Sequence, residues 1–397
     1  MPSFRRGSPR PILASCSTAH AAHDGLAEAL LVLLPLWAQA FGLSLTQTGA
    51  LKSAFYAAMT AGQIPFGLVS ERFGERRLLA LGTLGTAVGW LMLAEADGFR
   101  ALLLAVLAAG LGSSVQHPLA SSLVSRAYRG EGPRAALGVY NFAGDVGKAI
   151  VPALLAVGIG VAGWRMSSWS CGVAMAVVAL GVHLSLRRLL SAEKAPTSRA
   201  TPPPGWGIVD RRGFTLLGAI AVIDASSRSG FLLLAPFLMV AKGLPVEQVG
   251  FGVMLIFAGG AAGKFACGFL AERLGTVRTI VITEVATALG IAAAIAVPME
   301  LLWMLLAPIG LALNGTSSAL YAAAGELAHE ERQARAFGLF YTVTTAASAA
   351  APIAVGALGD AVDVALSAAA VAVWVAAAAP IALALRSRRR DESRATA

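Results

Sequence analysis

Twelve long apolar stretches separated by short charged loops constrain this chain more than any other feature of its sequence. Each stretch approaches or exceeds the roughly 20 residues that a helix needs to cross a bilayer. The chain of 397 residues is 57% hydrophobic and only 13% charged, too little charge to solvate a soluble protein of this length. The pattern predicts an all-α integral membrane protein with helices at 12–40, 48–69, 78–95, 99–125, 135–159, 164–186, 214–240, 248–270, 277–297, 301–325, 335–358 and 362–385.

One charged loop occurs twice, about 200 positions apart. GLVSERFGERR begins at Gly67, and GFLAERLGTVR begins at Gly268. Further upstream and downstream, Gly49 matches Gly250 and Pro152 matches Pro352 in nearly the same register. Such a repeat favours duplication, a common origin of transporters. We expect a conformational lock at the membrane edge in both copies, formed by Gly67, Glu71, Arg72, Gly74, Gly268, Glu272, Arg273 and Gly275.

The repeat also predicts the domain organisation. Two pseudo-symmetric six-helix halves are expected at 1–186 and 214–385. Residues 187–213 are polar and basic and contain a Pro-Pro-Pro run, so they are not expected to form part of an apolar core. We therefore expect them to be a cytoplasmic linker between the two halves. A basic cytoplasmic tail, 386–397, follows the second half.

The basic charge of the chain is a topology signal. The net charge is +9, and most of the 31 Lys and Arg residues fall in loops and tails on one side of the predicted membrane. Loops on the other side carry only Arg100, Arg165 and Lys242. By the positive-inside rule, both termini are cytoplasmic, and the charge gives no reason to expect nucleic acid as a partner. The lipid bilayer is the partner that this pattern implies.

The sequence lacks the motifs that are typical of disulfide-bonded, metal-binding, nucleotide-binding and nucleophile-dependent proteins. Cys16, Cys171 and Cys267 lie far apart inside apolar runs, which indicates neither a disulfide framework nor a metal site. No G-x-x-x-x-G-K-[ST] loop and no nucleophile triad is present. We therefore expect neither an enzyme nor a metal or other cofactor. An ion gradient should supply the energy; buried carboxylates and histidines favour protons, while sodium stays open.

The twelve helices, the duplicated six-helix unit, the central basic linker and the loop G-x-x-x-(D/E)-R-x-G resemble the major facilitator superfamily and its fold. A narrower resemblance is to the fosmidomycin-resistance type of drug exporter. It rests on H-A-A-H-D from His20 to Asp24, on G-S-S-V-Q-H-P from Gly112 to Pro118, and on a small-residue fifth helix ending at Pro152. The resemblance implies alternating access around a midplane site lined by helices 1, 4, 7 and 10. It also implies a monomer in a bacterial cytoplasmic (inner) membrane.

Helix 1 holds four ionisable residues, which are costly in a membrane helix unless they face a cavity or a partner. His20, Asp24 and Glu28 follow an i, i+4 spacing and share one face, and His23 lies beside them. A carboxylate near imidazoles in low dielectric favours proton coupling by these four residues. The alternative is a structural Asp–His pair that braces helix packing.

Helix 7 carries Asp224 and Arg228 one turn apart. Arginine keeps its charge and presents a fork of donors that suits carboxylate or phosphonate oxygens. We predict that both residues bind substrate. The alternative is an internal ion pair that neutralises itself.

Helices 4 and 5 supply further candidates for substrate binding. Lys148 lies one turn from Asp145, and the pair is either an anion contact or a local ion pair. Gln116 and His117 precede Pro118, which predicts a local distortion of the helix; a packing role for His117 is the alternative. Polar side chains elsewhere could donate hydrogen bonds to substrate, namely Tyr140, Asn141, Asn314, Tyr321 and Tyr341. Glu284 in helix 9 resembles a gating or packing charge.

Three functions fit these residues. The first is proton-coupled export of a small anionic or zwitterionic compound or drug, with Asp24 carrying the proton and Arg228 holding the anion. The second is uptake of an organic anion by proton symport. The third, a receptor that binds ligand without translocating it, would be expected to carry a signalling domain, and none is evident in the sequence.

Overall fold

A computed structural model describes residues 9–128, 133–189, 208–327 and 333–385, and the described chain consists of long helices. In the first part of the chain these are α1 Arg10–Phe41, α2 Leu45–Phe73, α3 Glu75–Glu95 and α4 Phe99–Ala127, followed by α5 and α6 as the two arms, 133–162 and 164–189, of the helical stretch Pro133–Leu189. In the second part they are α7 Arg211–Ala241, α8 Val249–Leu274, α9 Thr276–Ala296, α10 Met299–Glu326, α11 Gln333–Ala361 and α12 Val364–Leu385.

These helices confirm the all-α membrane fold. Ten described helical stretches are long and apolar enough to cross a bilayer, and one of them, Ala135–Leu189, holds both α5 and α6. With α2 the described chain reaches the twelve predicted helices. Large apolar side chains lie on the outside, among them Ile64, Val161 and Met304, which are more than 70% exposed. Such surfaces need lipid, not water, as their solvent.

Glycines shape the two copies of the repeated loop. Gly74 between α2 and α3 has φ +86°, and Gly275 between α8 and α9 has φ +85°. This backbone region strains any residue with a Cβ, so each tight turn requires its glycine. Arg72 and Arg273 lie over the rings of Phe73 and Phe269. These ring contacts are additional to the contacts predicted for the lock. The side chain of Glu71, a predicted member of the lock, lies outside the described part of the structure.

Around the other lock positions the packing is looser. Apart from their own helix backbone, no heavy atom of the described residues lies within 4 Å of where a Cβ would sit on Gly67 or Gly268. The Glu272 side chain is exposed. A described ion pair near the first loop joins Glu75 at the start of α3 to Arg126 near the end of α4. The lock itself stays a prediction.

Contacts divide the chain into two compact units. The first contains residues 1–43, 54–198 and 245–254, and the second contains 44–53, 199–244 and 255–397. The start of α2 therefore belongs with the second unit and the start of α8 with the first, a detail that the predicted boundaries lack. The linker core, 190–207, and the tail from 386 onward lie outside the described residues.

The repeat explains this exchange of helix ends. In the second unit, a Cβ on Gly49 would lie 2.2 Å from the Pro352 carbonyl oxygen, and in the first unit a Cβ on Gly250 would lie 2.2 Å from the Pro152 carbonyl oxygen. Asp360 also accepts hydrogen bonds from the backbone of Leu45 (2.7 Å) at the start of α2. Only glycine permits such close backbone approach.

Within the first unit, α1 packs along the helix that includes α5. A Cβ on Gly147 of α5 would lie 2.0 Å from the Ala21 carbonyl oxygen of α1. A Cβ on Gly25 of α1 would lie 2.4 Å from Val151. Small residues thus bring the two backbones together, as is common where helices pack in lipid.

We expect Gly147→Ala to destabilise the protein by about 1–3 kcal/mol, because the added methyl group overlaps backbone that cannot move freely. Gly181→Ala is the matched control, since among the described residues no atom beyond its own helix backbone lies within 4 Å of its Cβ position. Thermal unfolding of the detergent-purified protein measures both changes. An equal unfolding midpoint for the two variants would contradict close α1–α5 packing.

Candidate functional site

Asp24 is the centre of a buried polar cluster in the first unit. The Lys148 Nζ lies 2.9 Å and the His20 Nε2 lies 3.2 Å from Asp24 Oδ2, and the His117 Nε2 lies 3.6 Å from Asp24 Oδ1. Asp145 joins through a 3.6 Å contact with Lys148. We call these five residues the Asp24 cluster. It brings together candidates that the sequence placed on three different helices.

Local backbone features hold this cluster in place. A Cβ on Gly144 of α5 would lie 2.8 Å from the His20 ring and 2.9 Å from Asp24 Oδ2, so glycine lets α5 close against the carboxylate. In α4, the segment Gln116–Ala120 around Pro118 is a π-helix. This is the distortion expected at the proline, and it includes His117. Sequence reasoning missed Gly144, whose signal was the small-residue composition of α5.

The His20 ring has a defined hydrogen-bonding pattern. Its Nδ1 lies 2.9 Å from the Tyr140 carbonyl oxygen, and the ring stacks on the Tyr140 ring at 4.1 Å. Because a carbonyl oxygen only accepts, Nδ1 carries a hydrogen. In neutral His20 the Nε2 would then present a lone pair to the Asp24 carboxylate. The contact is favourable only when a further proton lies on His20 or on Asp24.

Burial differs among members of the cluster. The side chains of His20 and Asp24 are 4% and 10% exposed, whereas those of Lys148 and His117 are 26% and 40% exposed. The two cationic or potentially cationic groups that approach Asp24 from α5 and α4 are therefore accessible.

The donor atoms of His20, Asp24 and His117 lie within 4.8 Å of one another, a spacing compatible with a metal ion. The Lys148 ammonium, however, already lies at the Asp24 carboxylate. This positive charge occupies the place that a metal cation would need, so we assign no metal to these residues. The expectation that the chain uses no metal stays a prediction.

The structure separates His23 from the Asp24 cluster. Its Nε2 lies 3.1 Å from Thr83 Oγ1 and its Nδ1 lies 3.1 Å from Ser113 Oγ. The Thr83 hydroxyl donates to the Leu79 carbonyl oxygen, so it accepts from His23 Nε2–H. A neutral His23 thus satisfies all its contacts, and this geometry favours packing over the predicted proton coupling.

Glu28 lies one turn beyond Asp24 and has its own partner. Its Oε1 accepts a 2.8 Å hydrogen bond from the Tyr56 hydroxyl, and its side chain is buried. Tyr56 did not stand out in the sequence. Of the other candidates near α5, Gln116 and Tyr140 are buried beside each other, and Asn141 is exposed.

The second unit contains a separate polar group around Arg228, which we call the Arg228 cluster. Arg228 Nη2 lies 3.8 Å from Asp224 Oδ2 on the same helix. Glu284 of α9 lies beside Asp224. Tyr321 of α10 is within electrostatic range of both α7 residues and stacks on Tyr341 of α11 at 4.7 Å. Sequence analysis found four of these five residues and read Glu284 as a gating or packing charge.

Asn314 points back to its own helix. Its Nδ2 donates a 3.2 Å hydrogen bond to the Gly310 carbonyl oxygen, and a Cβ on Gly260 would lie 2.7 Å from that nitrogen. The residue is 7% exposed. Its geometry fits helix packing between α8 and α10 better than the predicted contact with substrate.

Comparisons with known proteins give consistent matches. A family model described as Major Facilitator Superfamily matches residues 17–223 and again residues 217–397. The Fosmidomycin resistance protein of Escherichia coli (strain K12) is 31% identical over 182 residues, 46% of this chain and 44% of that protein. The Probable L-galactonate transporter of the same strain is 25% identical over 248 residues, 59% of this chain and 55% of that protein. The chain thus spans about half the length of these curated relatives.

A solved structure is similar over nearly the whole chain. The crystal structure of a bacterial homolog to human lysosomal transporter, Spinster, in an inward-facing and unoccupied conformation, has a TM-score of 0.80. The match covers 97% of this chain and 98% of that chain at 17% sequence identity. At this identity the likeness concerns the fold alone.

The Asp24–Lys148 contact can be tested by a double-mutant cycle. Asp24→Asn leaves Lys148 with Asp145 as its remaining carboxylate, Lys148→Met leaves Asp24 without its ammonium partner, and the double variant removes both charges. We expect the double variant to be more stable than the two single losses predict, by about 0.5–3 kcal/mol. Thermal unfolding midpoints measure the cycle.

The control cycle combines Asp24→Asn with Lys242→Met. Lys242 donates to the Ile295 carbonyl oxygen in the second unit, so these losses should simply add. Additive losses in the Asp24–Lys148 cycle as well would show that the two charges do not stabilise each other.

Proposed function

Because this chain belongs to the Major Facilitator Superfamily, we propose that it is a proton-coupled secondary transporter of a small organic anion in the cytoplasmic membrane of a bacterium. Multi-pass helices and bacterial relatives of the same family support the location. A relative named for L-galactonate, a carboxylate, supports the substrate class. The topology of the charged loops supports cytoplasmic termini.

One observation carries the proposal: the Asp24 carboxylate holds one cation, Lys148, and the ring nitrogen of His117, and a substrate anion would also seek these groups. Lys148 is 2.9 Å and His117 is 3.6 Å from Asp24. A proton that neutralises Asp24 removes the nearer of the two carboxylates at Lys148, which keeps only its 3.6 Å contact with Asp145, and it frees the His117 ring nitrogen. An anion can then take the place of the Asp24 charge beside Lys148, since a buried ammonium is more stable with a close negative partner. Proton binding and anion binding thus favour each other.

Arg228 is the second group that fits an anion. Its guanidinium makes a 3.8 Å contact with Asp224, longer than a good charge-assisted hydrogen bond, and its side chain is 27% exposed. Five N–H donors in a planar fork leave capacity for a carboxylate or a phosphonate. Arg228 would therefore orient the anionic group of the substrate.

Whether proton binding and anion binding favour or oppose each other decides the direction in which the anion is transported. When proton and anion favour each other, an inward proton gradient drives the anion inward, which is uptake by symport. Export of a small anionic or zwitterionic compound or drug is the second candidate, and the similarity to the Fosmidomycin resistance protein favours it. Proton-driven export would require the proton and the compound to exclude each other.

The test uses proteoliposomes with a pH-sensitive dye inside and L-galactonate, other carboxylates, phosphonates and cationic drugs outside. We expect an anion to trigger proton movement, and Asp24→Asn to abolish it because the amide cannot take up the proton. Asp97→Asn, at an exposed carboxylate beyond α3, is the matched control and should transport normally. Proton movement with cationic drugs alone would contradict an anionic substrate.

Direction is measured in the same liposomes by imposing the proton gradient in each orientation. Accumulation of the anion on the alkaline side supports symport. Accumulation on the acidic side supports export by exchange and would show that proton and anion exclude each other.

We expect Arg228→Gln to raise the KM of an anionic substrate at least about tenfold, because a hydrogen bond from a charged donor contributes roughly 1.5–3 kcal/mol. Arg211→Gln, at the exposed start of α7, is the control on the same helix. Initial rates of transport over a range of substrate concentrations give both KM values. An unchanged KM in Arg228→Gln would remove Arg228 from the substrate site.

A further inference from the structure

Glu284 lies in the middle of α9 with a carboxyl that is almost completely buried, at 1% exposure. Neither of its oxygens receives a hydrogen bond from a donor in the part of the chain that the structure describes. The Thr316 hydroxyl lies beside the Glu284 carboxyl, but its single hydrogen is directed to Thr283 Oγ1 at 2.8 Å, and Thr283 donates to the Thr279 carbonyl oxygen at 2.9 Å. A buried carboxylate without donors would be very costly.

The neighbour of Glu284 is another carboxyl. Asp224 of α7 lies within hydrogen-bonding reach of it and is 6% exposed. Two carboxylates only accept, so a hydrogen bond between them requires a proton on one of them. Like charges at such a distance in low dielectric do not both ionise.

The surrounding charges fix how many protons the pair needs. Arg228 on α7 is the cation in contact with Asp224 among the described residues. Of the helices that pack on α7 and α9, α10 presents Tyr321 and α11 presents Tyr341, both neutral as phenols. The described part of α12 has no titratable residue. One cation therefore balances one carboxylate, and the second carboxyl must be neutral.

We propose that Asp224 and Glu284 share one proton and form a second proton-binding site, located in the second unit, with Arg228 as its counter-ion. The proton occupies a hydrogen bond between the two carboxyl groups. The pair as a whole then carries one negative charge, which Arg228 compensates.

The sequence repeat indicates that the fold does not require this pair. Asp224 corresponds in register to His23, and Glu284 corresponds to Thr83. In the first unit these two residues form a neutral, fully satisfied contact between α1 and α3. The second unit replaces it by two acids at the same positions of α7 and α9. A purely structural contact would be served by the neutral version.

The shared proton can be present whether or not the proposed function is correct. Only the use of this proton in a transport cycle rests on the proposed function. The experiment is infrared spectroscopy of the full-length protein in liposomes at neutral pH, without substrate, in H₂O and in D₂O. A protonated carboxyl has a C=O stretching band that shifts on exchange into D₂O. Difference spectra between wild type and variants isolate one such band from those of other buried acids.

We expect the band to be lost in Glu284→Gln and equally in Asp224→Asn. In each variant one carboxyl remains beside Arg228 and ionises, so the loss in either variant identifies a shared proton. Glu300→Gln, at an exposed glutamate at the start of α10, is the matched control and should keep the band. In Arg228→Gln the counter-ion is gone, and the band should grow as the second carboxyl also takes up a proton.

Two results would overturn the proposal. A band that persists in Glu284→Gln would show that Glu284 carries no proton. A band lost in Glu284→Gln but kept in Asp224→Asn would show that burial alone protonates Glu284, without sharing. The infrared experiment uses no substrate, so it is independent of transport. If the infrared bands behave as expected but the transport assay fails, the proposed function is contradicted and this proton site is not.

Discussion

Charge balance inside each unit is the constraint on which the polar architecture depends. A membrane helix has no water to compensate a charge, so each buried ionisable group needs a partner from its own surroundings. Asp24 finds Lys148 and two imidazoles, whereas Asp224 finds Arg228 together with a second acid. In each cluster two carboxyl groups face one permanent cation: Asp24 and Asp145 face Lys148, and Asp224 and Glu284 face Arg228. One carboxyl of each cluster therefore lacks a cation of its own and can bind a proton, as the proposed coupling requires.

Close helix packing supplies the second condition. Electrostatic partners on different helices meet only if the backbones approach, and Gly144 and Gly147 on α5 allow this beside Asp24. The same device joins the start of α2 to α11 through Gly49 and the start of α8 to α5 through Gly250. Glycine positions that appear unremarkable in an apolar sequence thus determine which polar groups can interact.

The sequence was sufficient for the helices but not for the partners. Hydropathy located twelve spans, because a helix that crosses a bilayer needs about 20 mostly apolar residues. Spacing along one helix correctly grouped His20 with Asp24, yet it could not reveal that Lys148 of α5 reaches Asp24 more closely than its neighbour Asp145. His23 and Glu284 are further cases, because their partners lie on other helices. The rotation of each helix about its axis decides those contacts, and the spacing of residues along one helix does not determine that rotation.

Duplication gave the two units equivalent positions, but their chemistry has diverged. The counterparts of Asp24 and Lys148 in the second half are Ala225 and Ser348, and there the Ser348 hydroxyl donates to the Ala225 carbonyl oxygen at 3.3 Å. Conversely, the acids of the Arg228 cluster occupy positions that are neutral in the first unit. Ionisable groups therefore lie at non-equivalent places of the repeat. A proton bound in one unit changes the charge of that unit alone, so the two units do not respond equally to the same change in proton concentration.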